Sequence, residues 1–127
     1  MNGWVLVFVG AGIGGALRHG ANMLAVHLFG VHFPVATLFV NVLGSLIIGC
    51  VVGWLTFKMG SPWTSSTRLF VVTGVLGGFT TFSTFSLDTA LLVERGEMML
   101  AALYVGGSLA LSLAAVFGGL ALVRAFA

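Results

Sequence analysis

The most informative stretch of the chain lies inside a long apolar segment and reads Gly77-Gly78-Phe79-Thr80-Thr81-Phe82-Ser83-Thr84-Phe85-Ser86. Glycine, serine and β-branched threonine are poor helix formers when they are crowded together. The apolar residues around this stretch nevertheless predict a membrane-spanning helix over about 69–93. We therefore expect a span that breaks or unwinds at its centre. Such a break is tolerated at membrane depth only where the freed backbone faces protein or a water-filled cavity.

The composition supports a membrane protein. The 127 residues are 59% hydrophobic and 6% charged, with a mean hydropathy of +1.17, whereas soluble domains carry about 25% charged residues. A helix needs about 20 residues to cross the hydrocarbon core, so the chain has room for about four spans. We predict one all-α transmembrane domain over residues 1–127, with helices at about 4–29, 34–57, 69–93 and 98–126. This leaves no room for a catalytic lobe, so we do not expect an enzyme.

Local signals support these boundaries. The first span is rich in glycine and alanine over 10–16, which favours close helix contacts in membranes. Pro34 is expected to open the second span, because the first helical turn has unpaired N–H groups anyway. Glycine, serine and proline predict a loop over 58–68, and residues 94–97 predict a tight turn.

The few positive charges leave the orientation open. With four spans, Lys58, Arg68 and Arg124 share one side, and Arg95 lies on the other, with Arg18 nearer to it. Lysine and arginine bias sets topology, and here the bias is slight. Either one orientation is weakly specified, or copies insert both ways and form an antiparallel dimer.

Polar groups at membrane depth are informative because each is costly unless it is satisfied. Asn41 lies near the middle of the second span, where it either bonds to another helix or offers an amide donor to an anion. Arg18 lies late in the first span, where it either reaches to the interface or draws anions into a vestibule.

Phe82 and Phe85 are three residues apart and share a helix face. Such a pair is commonly core packing, but here hydroxyl residues lie between and beside the rings. Because a phenyl ring has a positive edge, ring edges and hydroxyls together suit a compact anion. Tyr104, Ser108 and Ser112 align along the fourth helix at steps of four. Their hydroxyls either form a polar track, or those of the serines bond to the carbonyls of their own helix.

On three motifs the chain resembles the Fluc, or CrcB, family of fluoride channels. These are Gly14-Gly15-Ala16-Leu17-Arg18, Thr37-Leu38-Phe39-Val40-Asn41 and the stretch 77–86, with the hydroxyls of the fourth helix as further support. Two positions depart from the family pattern: His19 replaces the usual aromatic, and Asp88 lies where a glutamate is usual.

The resemblance implies a dual-topology homodimer of antiparallel copies with two pores in the bacterial plasma (inner) membrane. It implies that the fluoride pore is lined by Asn41, Phe82, Phe85, Tyr104, Ser108 and Ser112. From the residue pattern we add Ser83 to the pore and place Arg18 at the entrance. The resemblance also implies a structural Na⁺ at the dimer interface, held by the backbone carbonyls of Gly77 and Thr80. Broken membrane helices are known to coordinate sodium in this way.

The expected function is therefore passive fluoride efflux, which relieves fluoride toxicity in the cytoplasm. One alternative is a small multidrug-type exporter, which relies on a carboxylate deep in its first helix, whereas the first acidic residue here is Asp88. The other is a non-transporting membrane subunit whose polar residues only join helices.

Overall fold

A computed structural model describes residues 2–30, 33–54 and 65–126, and they form an all-helical structure. The first two spans are α1 (Gly3–Phe29) and α2 (Val35–Trp54). The third span has two parts. We call the first α3; it joins the consecutive segments Ser65–Arg68, Leu69–Leu76 and Gly77–Phe79, and the second is α4 (Phe82–Glu94). The last span is α5 (Met98–Phe126). Four helical stretches are thus long and apolar enough to cross a membrane.

The described helix bounds lie close to the predicted spans except at the start of the third, and the predicted end of the second span, at residue 57, lies outside the described residues. We predicted a loop through Arg68, which was wrong at its end, because Ser65–Arg68 is already helical. Extending an existing helix adds a hydrogen bond per residue without a new nucleation step, so even weak helix formers join it. α2 starts at Val35, directly after Pro34. Residues 55–64, which include the rest of the predicted loop, lie outside the described residues.

The predicted break in the third span is confirmed and lies at Thr80 and Thr81. Both residues have extended backbones, with φ/ψ of −88°/159° at Thr80 and −154°/123° at Thr81. The Thr81 side chain then caps α4 by accepting a hydrogen bond from the N–H of Thr84. The segment Leu69–Leu76, before the break, is π-helical. Helix irregularities of this kind are frequent at functional sites.

Glycine faces bring two pairs of helices into backbone contact. α1 packs on α3, where a Cβ at Gly14 would overlap the carbonyl oxygen of Val75. α2 packs on α5, where a Cβ at Gly49 would overlap the carbonyl oxygen of Val116, and one at Gly119 would lie 2.6 Å from that of Leu46. The small residues of α1 therefore make the close helix contact that the sequence predicted.

The turn between α4 and α5 brings the end of the third span against the fourth. Gly96 has a φ of 79°, a left-handed conformation that glycine adopts without strain. The turn lies where it was predicted. Above it, Leu92, Ala101 and Tyr104 form a buried cluster, and Phe33 and Phe85 pack against it. This cluster anchors α4 to α5.

Candidate functional site

Asn41 bridges the break in the third span. Its Oδ1 accepts a hydrogen bond from the N–H of Thr81 at 2.8 Å, and its Nδ2 donates one to the carbonyl oxygen of Thr81 at 3.0 Å. An extended residue presents its N–H and C=O on the same edge, as paired strands do. One carboxamide therefore satisfies both backbone groups. Asn41 thus joins two helices, as one of its two interpretations required.

The side chain of Thr81 organises the first turn of α4. Its Oγ1 accepts from the N–H of Thr84 at 3.2 Å and donates to the Thr84 hydroxyl at 3.2 Å. The Ser83 hydroxyl lies 3.3 Å from the same oxygen. Ser83 itself is exposed. The hydroxyls after the break therefore form one small network centred on Thr81.

Because of these bonds, two backbone carbonyls lack the N–H partners that they would have in a continuous helix. In an uninterrupted helix, the carbonyls of Gly77 and Thr80 would accept from the N–H groups of Thr81 and Thr84, four residues on. Here those N–H groups bond to Asn41 Oδ1 and to Thr81 Oγ1. The carbonyl oxygens of Gly77 and Thr80 therefore lack these helical hydrogen bonds. Carbonyl oxygens of this kind can coordinate a hard cation such as Na⁺.

A cavity of about 270 Å³ lies against the break, between α2, α4 and α5. We call it the phenyl groove. It contains five of the predicted pore residues, and its lining is Asn41, Ser45, Ile48, Thr80, Thr81, Phe82, Phe85, Ser108, Leu109 and Ser112. The break, the aromatic pair and two of the three aligned hydroxyl residues of the fourth span therefore meet in one place.

The two phenyl rings of the groove have different surroundings. Their centroids lie 5.7 Å apart with a tilt of 42°. Phe82 is 75% exposed in the protomer, whereas Phe85 is partly buried and packs against Tyr104 at 5.1 Å. Phe82 is therefore free of the protomer core, and Phe85 belongs partly to it.

Ser108 supplies a buried hydroxyl to the groove. The residue is 6% exposed, and its Oγ has no hydrogen-bond partner among the described residues. A buried polar group normally finds a partner, and each exception needs an explanation. The Ser108 hydroxyl is therefore available to a group that enters the groove.

Tyr104 is fully buried and does not line the groove directly. Its hydroxyl donates to Asp88 Oδ2 at 3.1 Å. Tyr104 supports the groove through its ring contact with Phe85. The sequence did not predict the Asp88 contact, because the two residues lie on different spans and nothing in their spacing links them.

A second cavity, of about 280 Å³, lies on the other side of Thr81. We call it the arginine cavity. It is lined by Gly15, Arg18, His19, Asn22, Ala36, Thr37, Val40, Thr81 and Thr84. Arg18 thus lines a cavity other than the phenyl groove. Thr81, which the sequence analysis did not select, lines both cavities.

Four apolar spans, an interrupted third span and two cavities that share Thr81 in their walls define a multi-pass membrane protein. Residues 5–120 match the family described as CrcB-like protein, Camphor Resistance (CrcB). The chain belongs to this family, which confirms the resemblance noted from the motifs.

Similar proteins cover nearly the whole chain. The Fluoride-specific ion channel FluC 2 of Nitrobacter hamburgensis is 55% identical over 123 residues, which is 95% of this chain and 96% of that protein. The Fluoride-specific ion channel FluC of Rhodopseudomonas palustris (strain BisB5) is 53% identical, with 96% and 97% covered. That of Granulibacter bethesdensis is 51% identical, with 98% and 96% covered.

Proposed function

We propose that this chain is the subunit of a fluoride-selective channel in the bacterial inner membrane, and not an enzyme. The observation that carries the proposal is the phenyl groove, where Phe82 and Phe85 meet the unpaired buried hydroxyl of Ser108. The similar proteins are named as fluoride-specific ion channels, which supports the same conclusion. The channel lets fluoride leave the cytoplasm and so relieves its toxicity.

The side chains that line the phenyl groove take the place of the water molecules that surround a small anion. Selectivity in channels follows when protein groups take the place of the hydration shell. Ring edges of Phe82 and Phe85 offer positive charge density, and the hydroxyls of Ser108 and Ser112 donate hydrogen bonds. Fluoride enters a cell as neutral HF and dissociates inside. The anion then leaves along its gradient, helped by the negative-inside potential.

The other polar residues support this path. Arg18, in the arginine cavity, attracts anions to the entrance. Ser83 lies beside the break and adds a hydroxyl to the network of Thr81. Tyr104 belongs to the polar track of α5 but acts mainly by holding Phe85 in place.

The working unit is an antiparallel homodimer. Irregular backbone and polar side chains do not face lipid within the hydrocarbon region. In the protomer, Phe82, Ser83 and Ser86 are exposed directly after the interrupted backbone. A second copy of the chain would cover this surface and complete the groove. The near balance of positive charge between the two sides suits copies inserted in both directions.

A structural Na⁺ fits the two released carbonyls. The oxygens of Gly77 and Thr80 lie at the break, and the N–H groups that would occupy them in a helix are bonded elsewhere. At a dimer interface, the same oxygens from both copies would surround one ion. Bound there, the ion would supply positive charge to the two breaks, and it would not be transported.

Fluoride efflux from liposomes that contain only the purified protein tests this function. We expect fluoride to leave when a membrane potential drives it, without ATP or a proton gradient, and chloride to remain inside. Proton-coupled export of organic cations would instead support the multidrug-type exporter. Well-folded dimers without any flux would support the non-transporting subunit.

Replacing Ser108 with alanine tests whether its hydroxyl binds the ligand or only stabilises the fold. Because the hydroxyl is buried without a partner, Ser108→Ala should leave the melting temperature unchanged or raise it. Fluoride flux should fall at least about tenfold, since a hydrogen bond to a charged group contributes roughly 1.5–3 kcal/mol. Stability and flux are measured on the same preparation.

Thr89→Val is the matched control for Ser108→Ala. The Thr89 hydroxyl donates to the carbonyl of Phe85 within its own helix, at 2.9 Å, and Thr89 lines neither cavity. Its loss should leave flux within about twofold of the unmodified protein, because such back-bonds to the helix are weak. A clear loss of stability with unchanged flux in Ser108→Ala would count against the proposed role of this hydroxyl.

A further inference from the structure

Both polar ends of the Asn41 side chain are engaged with the backbone of one residue, Thr81. The two bonds are 2.8 Å and 3.0 Å long and link positions 40 residues apart in the sequence. A carboxamide that only offered a donor to an anion would leave its oxygen free for other uses. The paired geometry instead makes Asn41 a substitute for the missing helical partner of Thr81.

We propose that Asn41 is a positioning residue that couples the cation site to the phenyl groove. By holding the N–H of Thr81, it keeps the Gly77 carbonyl out of helical bonding. By holding the C=O of Thr81, it fixes the start of α4, which carries the rings of Phe82 and Phe85. The inference rests on the proposed function, since it concerns the sodium and fluoride sites of that channel.

The coupling depends on which of two acceptors the Thr81 N–H bonds to. Thr81 is 9% exposed, so its N–H has little access to water. A buried donor without a partner is costly, so the N–H must bond to something. Its two available acceptors are Asn41 Oδ1, which it uses, and the Gly77 carbonyl, the acceptor of a continuous helix. Loss of the first favours the second.

A change at Thr81 would reach both cavities. Thr81 lines the arginine cavity and the phenyl groove, and its Oγ1 holds the first turn of α4 through Thr84. If Thr81 returned to a helical conformation, the Gly77 carbonyl would be occupied and the wall between the cavities would move. The cation site and the anion path would then fail together.

Two substitutions at Asn41 test its two hydrogen bonds to Thr81 separately. Leucine is similar in shape and makes neither bond, so the N–H of Thr81 is released to Gly77. Aspartate keeps an acceptor for that N–H but cannot donate to the Thr81 carbonyl while it is ionised. Asn41→Leu should therefore disturb the cation site, whereas Asn41→Asp should retain it and impair only anion passage.

The test is the melting temperature of the purified full-length protein across a sodium titration, with choline as the replacement cation. Asn41→Leu should raise the half-saturating sodium concentration at least about tenfold, as expected for the loss of a buried hydrogen-bond arrangement. Asn41→Asp should keep a sodium response close to that of the unmodified protein. Cys50→Ala is the control, since Cys50 lies on the same helix as Asn41 but outside the lining of both cavities.

Fluoride flux is measured on the same proteins at saturating sodium. Loss of flux in both Asn41 variants, with the half-saturating sodium concentration raised only in Asn41→Leu, supports the coupling. A normal sodium response in Asn41→Leu overturns it, as does the absence of any sodium response in the unmodified protein. If the unmodified protein shows the sodium response but no flux, the proposed channel function fails and the positioning role of Asn41 stands.

A measurement on the unmodified protein covers the case in which Asn41→Leu does not fold. The side-chain ¹⁵N resonance of Asn41, observed by solid-state NMR in lipid bilayers, should shift when sodium is replaced by choline. An unchanged resonance overturns the coupling. The side-chain resonance of Asn22, which lies in the arginine cavity, is the internal reference.

Discussion

Fluoride flux through the Phe82→Ile variant is expected to fall at least about a hundredfold, the size of effect seen when one preorganised electrostatic contact is removed from a dry site. The isoleucine side chain is apolar but has no ring edge with positive charge density. Because Phe82 is 75% exposed in the protomer, its loss removes little packing within one copy. The measurement is efflux from liposomes, with dimer content checked by size-exclusion chromatography.

Phe117→Ile is the matched control for this variant. Phe117 is 69% exposed and lies on α5, outside the lining of both cavities. Its replacement should leave flux close to that of the unmodified protein.

Phe85→Ile should also lose flux, with an additional loss of stability, because the Phe85 ring packs against Tyr104. Normal flux in both Phe82→Ile and Phe85→Ile would refute the role of the ring edges.

The Gly14→Ala variant is expected to lose much of its stability. A Cβ at this position would overlap the carbonyl oxygen of Val75 and lie 2.8 Å from the backbone nitrogen of Phe79. Backbone atoms cannot move aside as flexible side chains can, so α1 would separate from α3. Overpacking of this kind costs about 1–3 kcal/mol. We expect a lower melting temperature and less monodisperse protein after purification.

Gly12→Ala tests whether this effect belongs to the contact or to the loss of glycine. A Cβ at Gly12 meets no atom within 4 Å among the described residues. Alanine is a better helix former than glycine by about 1 kcal/mol, so Gly12→Ala should be neutral or stabilising. Equal destabilisation in the two variants would contradict the close packing of α1 on α3.

Much of the fold could be predicted from the sequence. In a membrane, only helices and closed barrels satisfy their own backbone groups, so apolar stretches of suitable length translate into spans. The break was also predictable, because glycine, threonine and serine are concentrated in one stretch of the third span. The start of that span was placed too late, since the first residues of a helix follow the helix that they extend.

The composition of the site was predictable as well, but its arrangement was not. Periodicity aligned Phe82 with Phe85 and Ser108 with Ser112, because residues three or four apart share a helix face. It could not show that these two helices border one cavity with Asn41. Periodicity also grouped Tyr104 with the serines, although the Tyr104 hydroxyl bonds to Asp88 away from the groove.

The local pattern of residues thus sufficed to establish four spans, a break in the third and the family, because hydropathy, helix propensity and short motifs act over a few neighbouring positions. The partners of the break came from the packing of distant segments. The bonds between Asn41 and Thr81, the two carbonyls that they release and the two cavities on either side of Thr81 depend on contacts between residues far apart in the chain. Such contacts are chosen by how the helices fit together, and the glycine faces of α1, α2, α3 and α5 set that fit.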